Sequence, residues 1–92
     1  MIVRILGEGQ LQVDDSASAE LNSLDAALER AVNSGDEAAF RAALVALLDR
    51  VRALGTPLAA ETLEPSDSIL PRADADLDEV RSMLSGEGYI PG

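Results

Sequence analysis

The chain opens on two short apolar runs, residues 2–6 and 10–13, whose side chains alternate. Ile2, Arg4 and Leu6 fall on one face and Val3 and Ile5 on the other, the period of two that a β-strand imposes. Gly7-Glu8-Gly9 separates the runs. Glycine supplies the positive φ that a tight connection needs, so this segment predicts a β-hairpin. From residue 14 the period changes. Leu21, Leu24, Leu28 and Val32 recur at helical spacing with Ala31 beside them, predicting a helix over 16–33. Asp15 or Ser16 can cap its start, and Asn33-Ser34-Gly35 ends it.

A second helix is predicted over 36–54, capped by Asp36, with Ser34 and Glu37 also at capping-box spacing. Phe40, Leu44, Leu47, Leu48, Val51 and Leu54 form its apolar stripe. Ala39, Ala42, Ala43, Ala46 and Ala53 lie on the neighbouring flank, where small side chains predict close approach of another helix. Glu37 and Arg41 are spaced for an i,i+4 ion pair. Gly55-Thr56-Pro57 stops the helix, and the two helices together predict an antiparallel αα-hairpin.

The next stretch, with prolines at 57, 65 and 71, reads as a long extended connection pinned by Leu58, Leu63, Ile69 and Leu70. Residues 68–70 have the composition of a short third strand, which Pro71 would confine to an edge; the sequence leaves this open. Asp76 and Glu79 fit a capping box ahead of Leu77, Val80 and Leu84, predicting a short third helix ended by Gly86. Tyr89 and Ile90, in the closing YIPG, are expected to dock on the sheet or helices. The predicted fold is a single α+β domain over 1–92: an N-terminal β-hairpin packed on an αα-hairpin, plus a short C-terminal helix. A two-stranded hairpin leaves an unpaired edge, which calls for a third strand, a helix cover or a partner.

Composition removes several function classes. Of the 92 residues 47% are apolar, too many for a disordered acidic tail. Phe40 and Tyr89 are the only aromatics, so the core must be built from Leu, Val, Ile and Ala. The formal charge is −10, from 17 acids and 7 bases, and every base is Arg. That sign argues against a nucleic-acid partner and against direct binding to anionic membrane. The chain has no Cys and no His, which removes thiol chemistry, the usual general base and the usual transition-metal ligand. Gly7-Glu8-Gly9 leads into a second strand rather than a helix, and no Lys follows it, so it reads as a turn and not a phosphate loop. Asp74, Asp76 and Asp78 have the spacing that opens a calcium loop, but Glu79 and Ser85 stand where Gly and Glu are required. They read instead as acids at a helix start. No nucleophile stands beside a base. The expectation is a non-enzyme without cofactor or metal. No signal peptide or membrane span is visible, so a cytoplasmic location is expected.

Taken in order, MIVRILGEGQ, LNSLDAALERAV, GDEAAFRAAL, LGTPL, PSDSILP and DLDEVRSMLSGEGYIPG resemble the PspAA family, the small proteins associated with phage shock protein A, from Met1 to Gly92. The resemblance carries no catalytic motif. It implies a context: PspA is a coiled-coil protein related to the ESCRT membrane remodellers that binds the inner face of the membrane under envelope stress, and PspAA-like proteins are taken to act as its partners. The implied role is an adaptor or regulator, recruited to the membrane through PspA. The alternative from the residues is a self-associating module that pairs its sheet edge with a second copy, and a small metal-dependent hydrolase is a remoter third. The expected partner-binding residues are Ile2, Arg4 and Leu6 of the hairpin and Tyr89 and Ile90 of the tail.

Overall fold

The computed structural model describes residues 1–59 and 64–83. Two strands, β1 (Ile2–Ile5) and β2 (Gly9–Gln12), pair antiparallel with Val3 opposite Leu11 and Ile5 opposite Gly9. The turn between them closes with the Glu8 amide donating to the Ile5 carbonyl at 2.9 Å. Gly7 and Gly9 have φ of +85° and +113°, a region that costs any residue with a Cβ. The glycine pair is therefore a requirement of the turn, as its spacing predicts.

A short 3-10 turn at Asp15–Ala17 leads into α1 (Ser18–Ser34). Asp14 caps that turn, its carboxylate accepting from the Ser16 amide at 2.8 Å, and α1 follows from Ala17 without a side-chain cap, so neither Asp15 nor Ser16 caps it. Gly35, left-handed at φ 72°, ends α1. Asp36 then caps α2 (Glu37–Leu54) by accepting from the Ala39 amide at 3.0 Å. Ser34 takes no part in a capping box; its hydroxyl donates to the Ala31 carbonyl and accepts from the Asp36 amide.

Among the described residues the sheet has four strands in the order β3-β2-β1-β4. β3 (Thr56–Pro57) pairs antiparallel with β2, and β4 (Ser68–Leu70) lies parallel to β1 with Ile69 opposite Arg4. Residues 68–70 are thus a strand, and an edge strand among the described residues. β1 lies inside the sheet, paired on both sides, so the unpaired hairpin edge is filled from within the chain. β3 was not legible as a strand, since Pro57 lacks an N–H and two residues show no alternation. The last described element is α3 (Leu77–Met83), whose start is held by Asp76 accepting from the Glu79 amide at 2.8 Å.

Helices cover one face of the sheet. Val3, Ile5, Val13 and Leu70 from the sheet, Leu21, Leu28 and Val32 from α1, Phe40, Leu44, Leu47, Leu48 and Val51 from α2, and Val80 from α3 are fully buried in one cluster. At about 1.5–3 kcal/mol for each such side chain, this cluster dominates the favourable side of folding. The alanine flank of α2 does not behave as its sequence suggests. Ala39, Ala42, Ala46 and Ala53 are exposed, and only Ala43 packs partly against the core. The stripe from Phe40 to Val51 already fills the contact with α1 and the sheet, so the alanines turn outward. Arg41 also departs from expectation. Rather than pairing with Glu37, its guanidinium donates to the carbonyls of Ala73 and Ala75, at 2.7 and 2.8 Å, and ties the segment before α3 to α2. The predicted roles of Leu63, Leu84, Gly86, Tyr89 and Ile90 lie outside the described residues.

Candidate partner-binding face of the sheet

The alternation that buries Val3 and Ile5 turns Ile2, Arg4, Gln10, Gln12 and Ile69 to the face away from the helices. Ile2 is half-buried and Arg4 exposed, and Leu6, half-buried at the turn, donates its amide to the Leu70 carbonyl. Of the expected hairpin residues, Ile2 and Arg4 thus lie on a strand paired on both sides and Leu6 at the turn beyond it, while Tyr89 and Ile90 lie outside the described residues. Ile69 is exposed (48%) directly beside Arg4.

Residues 64–66, ahead of β4, lie over this face. Gln10, 9% exposed, donates its amide to the Glu64 carbonyl and the Ser66 hydroxyl, both at 2.8 Å, and so holds residues 64–66 on the sheet. Asp67 holds β1 twice on its β4 side: its carboxylate accepts from the Ile2 amide and its own amide donates to the Ile2 carbonyl, each at 2.7 Å. A polar residue at an apparently outward strand position carries no sequence mark of this role. Asp25 is a second residue the pattern missed: at 4% exposure it is the buried acid among the described residues, on the α1 face that carries Leu21 and Leu28. Its i+4 spacing from Leu21 is the one signal that could have found it.

Beside the β1–β2 turn lies a cleft of about 450 Å³. Glu8 and Gly9 bound it on the turn side, Arg52 on the side of α2, Pro57, Leu58 and Ala59 on the third, and Arg4 and Gln10 reach it from the sheet. Arg52 is fully engaged there. Its Nε donates to Glu8 at 2.9 Å and its Nη1 to Asp49 at 2.8 Å. The hydrogen bond from Arg52 holds the Glu8 carboxyl below the ordinary range. Arg4, by contrast, makes no ion pair or side-chain hydrogen bond among the described residues. The cleft therefore sets the aliphatic surface of Pro57, Leu58 and Ala59 beside the Arg52–Glu8 ion pair and beside Arg4, a cation without an ionic partner among the described residues. Among the described residues, no three His, Cys, Asp or Glu side chains stand together to hold a metal ion. Asp76 is used as a cap, Asp74 accepts from Arg72 and Asp78 faces Arg81.

The model of the family described as PspA-Associated protein matches residues 1–92. The chain belongs to the PspAA family. No curated protein and no solved structure matches it. The family description names an association with PspA and no reaction. No helix among the described residues is long and apolar enough to cross a membrane.

Proposed function

We propose that this PspAA domain is a non-catalytic adaptor that binds a PspA-type coiled coil in the phage-shock response to envelope stress. The observation that carries this reading is the family match over the whole chain. A net charge of −10 supports dependence on a partner for membrane recruitment, since anionic lipid repels such a surface. It equally favours encounter with the Lys- and Arg-bearing stretches of a charged coiled coil, where complementary charge sets the on-rate. Co-flotation with anionic liposomes tests it. The domain should float with PspA present and remain behind without it; equal flotation alone would make it a membrane binder in its own right.

A second reading, self-association through a sheet edge, is favoured by β4, which among the described residues has a strand on one side only and exposes Ile69. Light scattering over a range of concentration tests it: a constant monomer mass sinks it.

A further inference from the structure

We infer that the cleft between Arg4, the β1–β2 turn and residues 57–59 is a docking site for one amphipathic helix, which places a carboxylate on Arg4 and an aliphatic side chain against Pro57 and Leu58. The inference rests on the adaptor reading for the identity of that helix, a strand of the coiled-coil partner. Three observations carry it. First, the guanidinium of Arg4 is unspent among the described residues. In a chain with 17 acids and 7 arginines, Arg50 is held by Glu20, Arg52 by Glu8 and Asp49, Arg72 by Asp74 and Arg81 by Asp78. Arg4 stands exposed in the sheet with its fork of donors unmatched among the described residues, a geometry suited to a carboxylate.

Second, the rest of the lining offers no competing charge. Glu8 is already neutralised by Arg52, and Gln10 spends its amide on Glu64 and Ser66. What is left beside Arg4 is the aliphatic surface of Pro57, Leu58 and Ala59. A volume of about 450 Å³ accommodates side chains rather than a whole helix, so the occupant is a helix lying on the face and inserting one or two of them. Third, Glu64 is exposed where Gln10 holds residues 64–66 over the same face, in a chain of net charge −10. The helix that fits therefore carries its acid among bases, the alternating pattern of a coiled-coil flank.

Titration of the isotope-labelled full chain, followed by amide shifts, tests the site with two probes. One is a PspA-type coiled coil. The other is a synthetic amphipathic helix with a Glu flanked by leucines and lysines, alongside the same peptide with that Glu replaced by Lys. Binding of both the coiled coil and the Glu peptide should shift residues 4, 9, 10 and 58. Arg4→Glu should weaken both by about tenfold, the scale of one charge-assisted contact, and should bind the Lys peptide better than wild type does. Arg30→Glu is the charge-matched control: Arg30 is also exposed and without an ion pair among the described residues, but sits on α1. It should change binding less than twofold. A coiled coil that binds both variants equally overturns the cleft while sparing the adaptor reading, and points to the exposed alanine face of α2. Arg4-dependent binding of the Glu peptide with no binding of the coiled coil supports the cleft and removes the adaptor reading. No binding of either probe overturns both.

Discussion

At the scale of single residues, the clearest distinction is between two uses of glycine. Gly9 has φ +113° with open space around it, so a Cβ there would pay only in backbone strain; Gly9→Ala should cost about 1 kcal/mol. Gly55 has an ordinary extended backbone, but a Cβ on it would stand 2.8 Å from the Leu11 Cβ and from the Val51 carbonyl oxygen. Gly55→Ala must therefore push β2 away from the end of α2, at a cost of about 1–3 kcal/mol. Urea denaturation of the two variants checks the order; a larger loss at Gly9 would contradict it. The exposed carboxylates make a smaller and pH-dependent contribution. Hydrogen bonds from Arg52 and Arg50 lower the pKa of Glu8 and Glu20. Because the folded values lie below the unfolded ones, near about 4.3, their stabilisation is present above that pH and lost as pH falls through the folded values. Glu8→Gln should flatten the acid limb of the stability curve, by no more than about 0.5 kcal/mol, since water screens a pair exposed by more than a third.

At the scale of elements, α2 shows what a helical pattern tells and what it conceals. Ala43→Leu adds bulk against the core and should cost about 1–3 kcal/mol, whereas Ala46→Leu extends into solvent and should lie within about 0.5 kcal/mol of wild type. Comparison of the two melting curves checks this, and equal losses would mean that the alanine flank is covered. Arg41→Met should loosen the segment before α3, seen as faster amide exchange at residues 75–80, because the Ala73 and Ala75 carbonyls lose their shared donor. The hairpin, both long helices and the cap at Asp76 were legible because each is a local matter of period, turn glycine or capping acid. The direction in which a flank of alanines faces is not local: it depends on how much of the circumference the larger side chains already occupy. The same holds for β3 and β4, whose pairing is decided by partners far along the chain, with Ile69 opposite Arg4 and Thr56 opposite Gln12. Placement of Ile2, Arg4 and Leu6 on one face followed from alternation. That the face belongs to the middle of a sheet, beside a cleft closed by Arg52, required the tertiary fold.

At the scale of the whole molecule, charge sets opposite salt dependences for folding and for binding. A net charge of −10 is confined within a Cα radius of gyration of 12.5 Å, against about 30 Å for the unfolded chain. Coulomb's law then makes compaction unfavourable by on the order of 5 kcal/mol at low ionic strength, and by about half of that near physiological salt. The exposed ion pairs act in the other sense, but water screens each of them, and salt weakens them as well. Repulsion is the larger quantity. The melting temperature should therefore rise as sodium chloride is raised from about 10 mM to about 300 mM. Over the same range an acidic domain that meets a basic stretch of coiled coil should bind more weakly, chiefly through a slower on-rate. The two measurements, calorimetry of the free domain and association kinetics with the coiled coil, should move in opposite directions with salt. A melting temperature that falls with salt would show that the surface ion pairs outweigh the net charge. An on-rate indifferent to salt would show that apolar contact, rather than charge, brings the partner to the sheet.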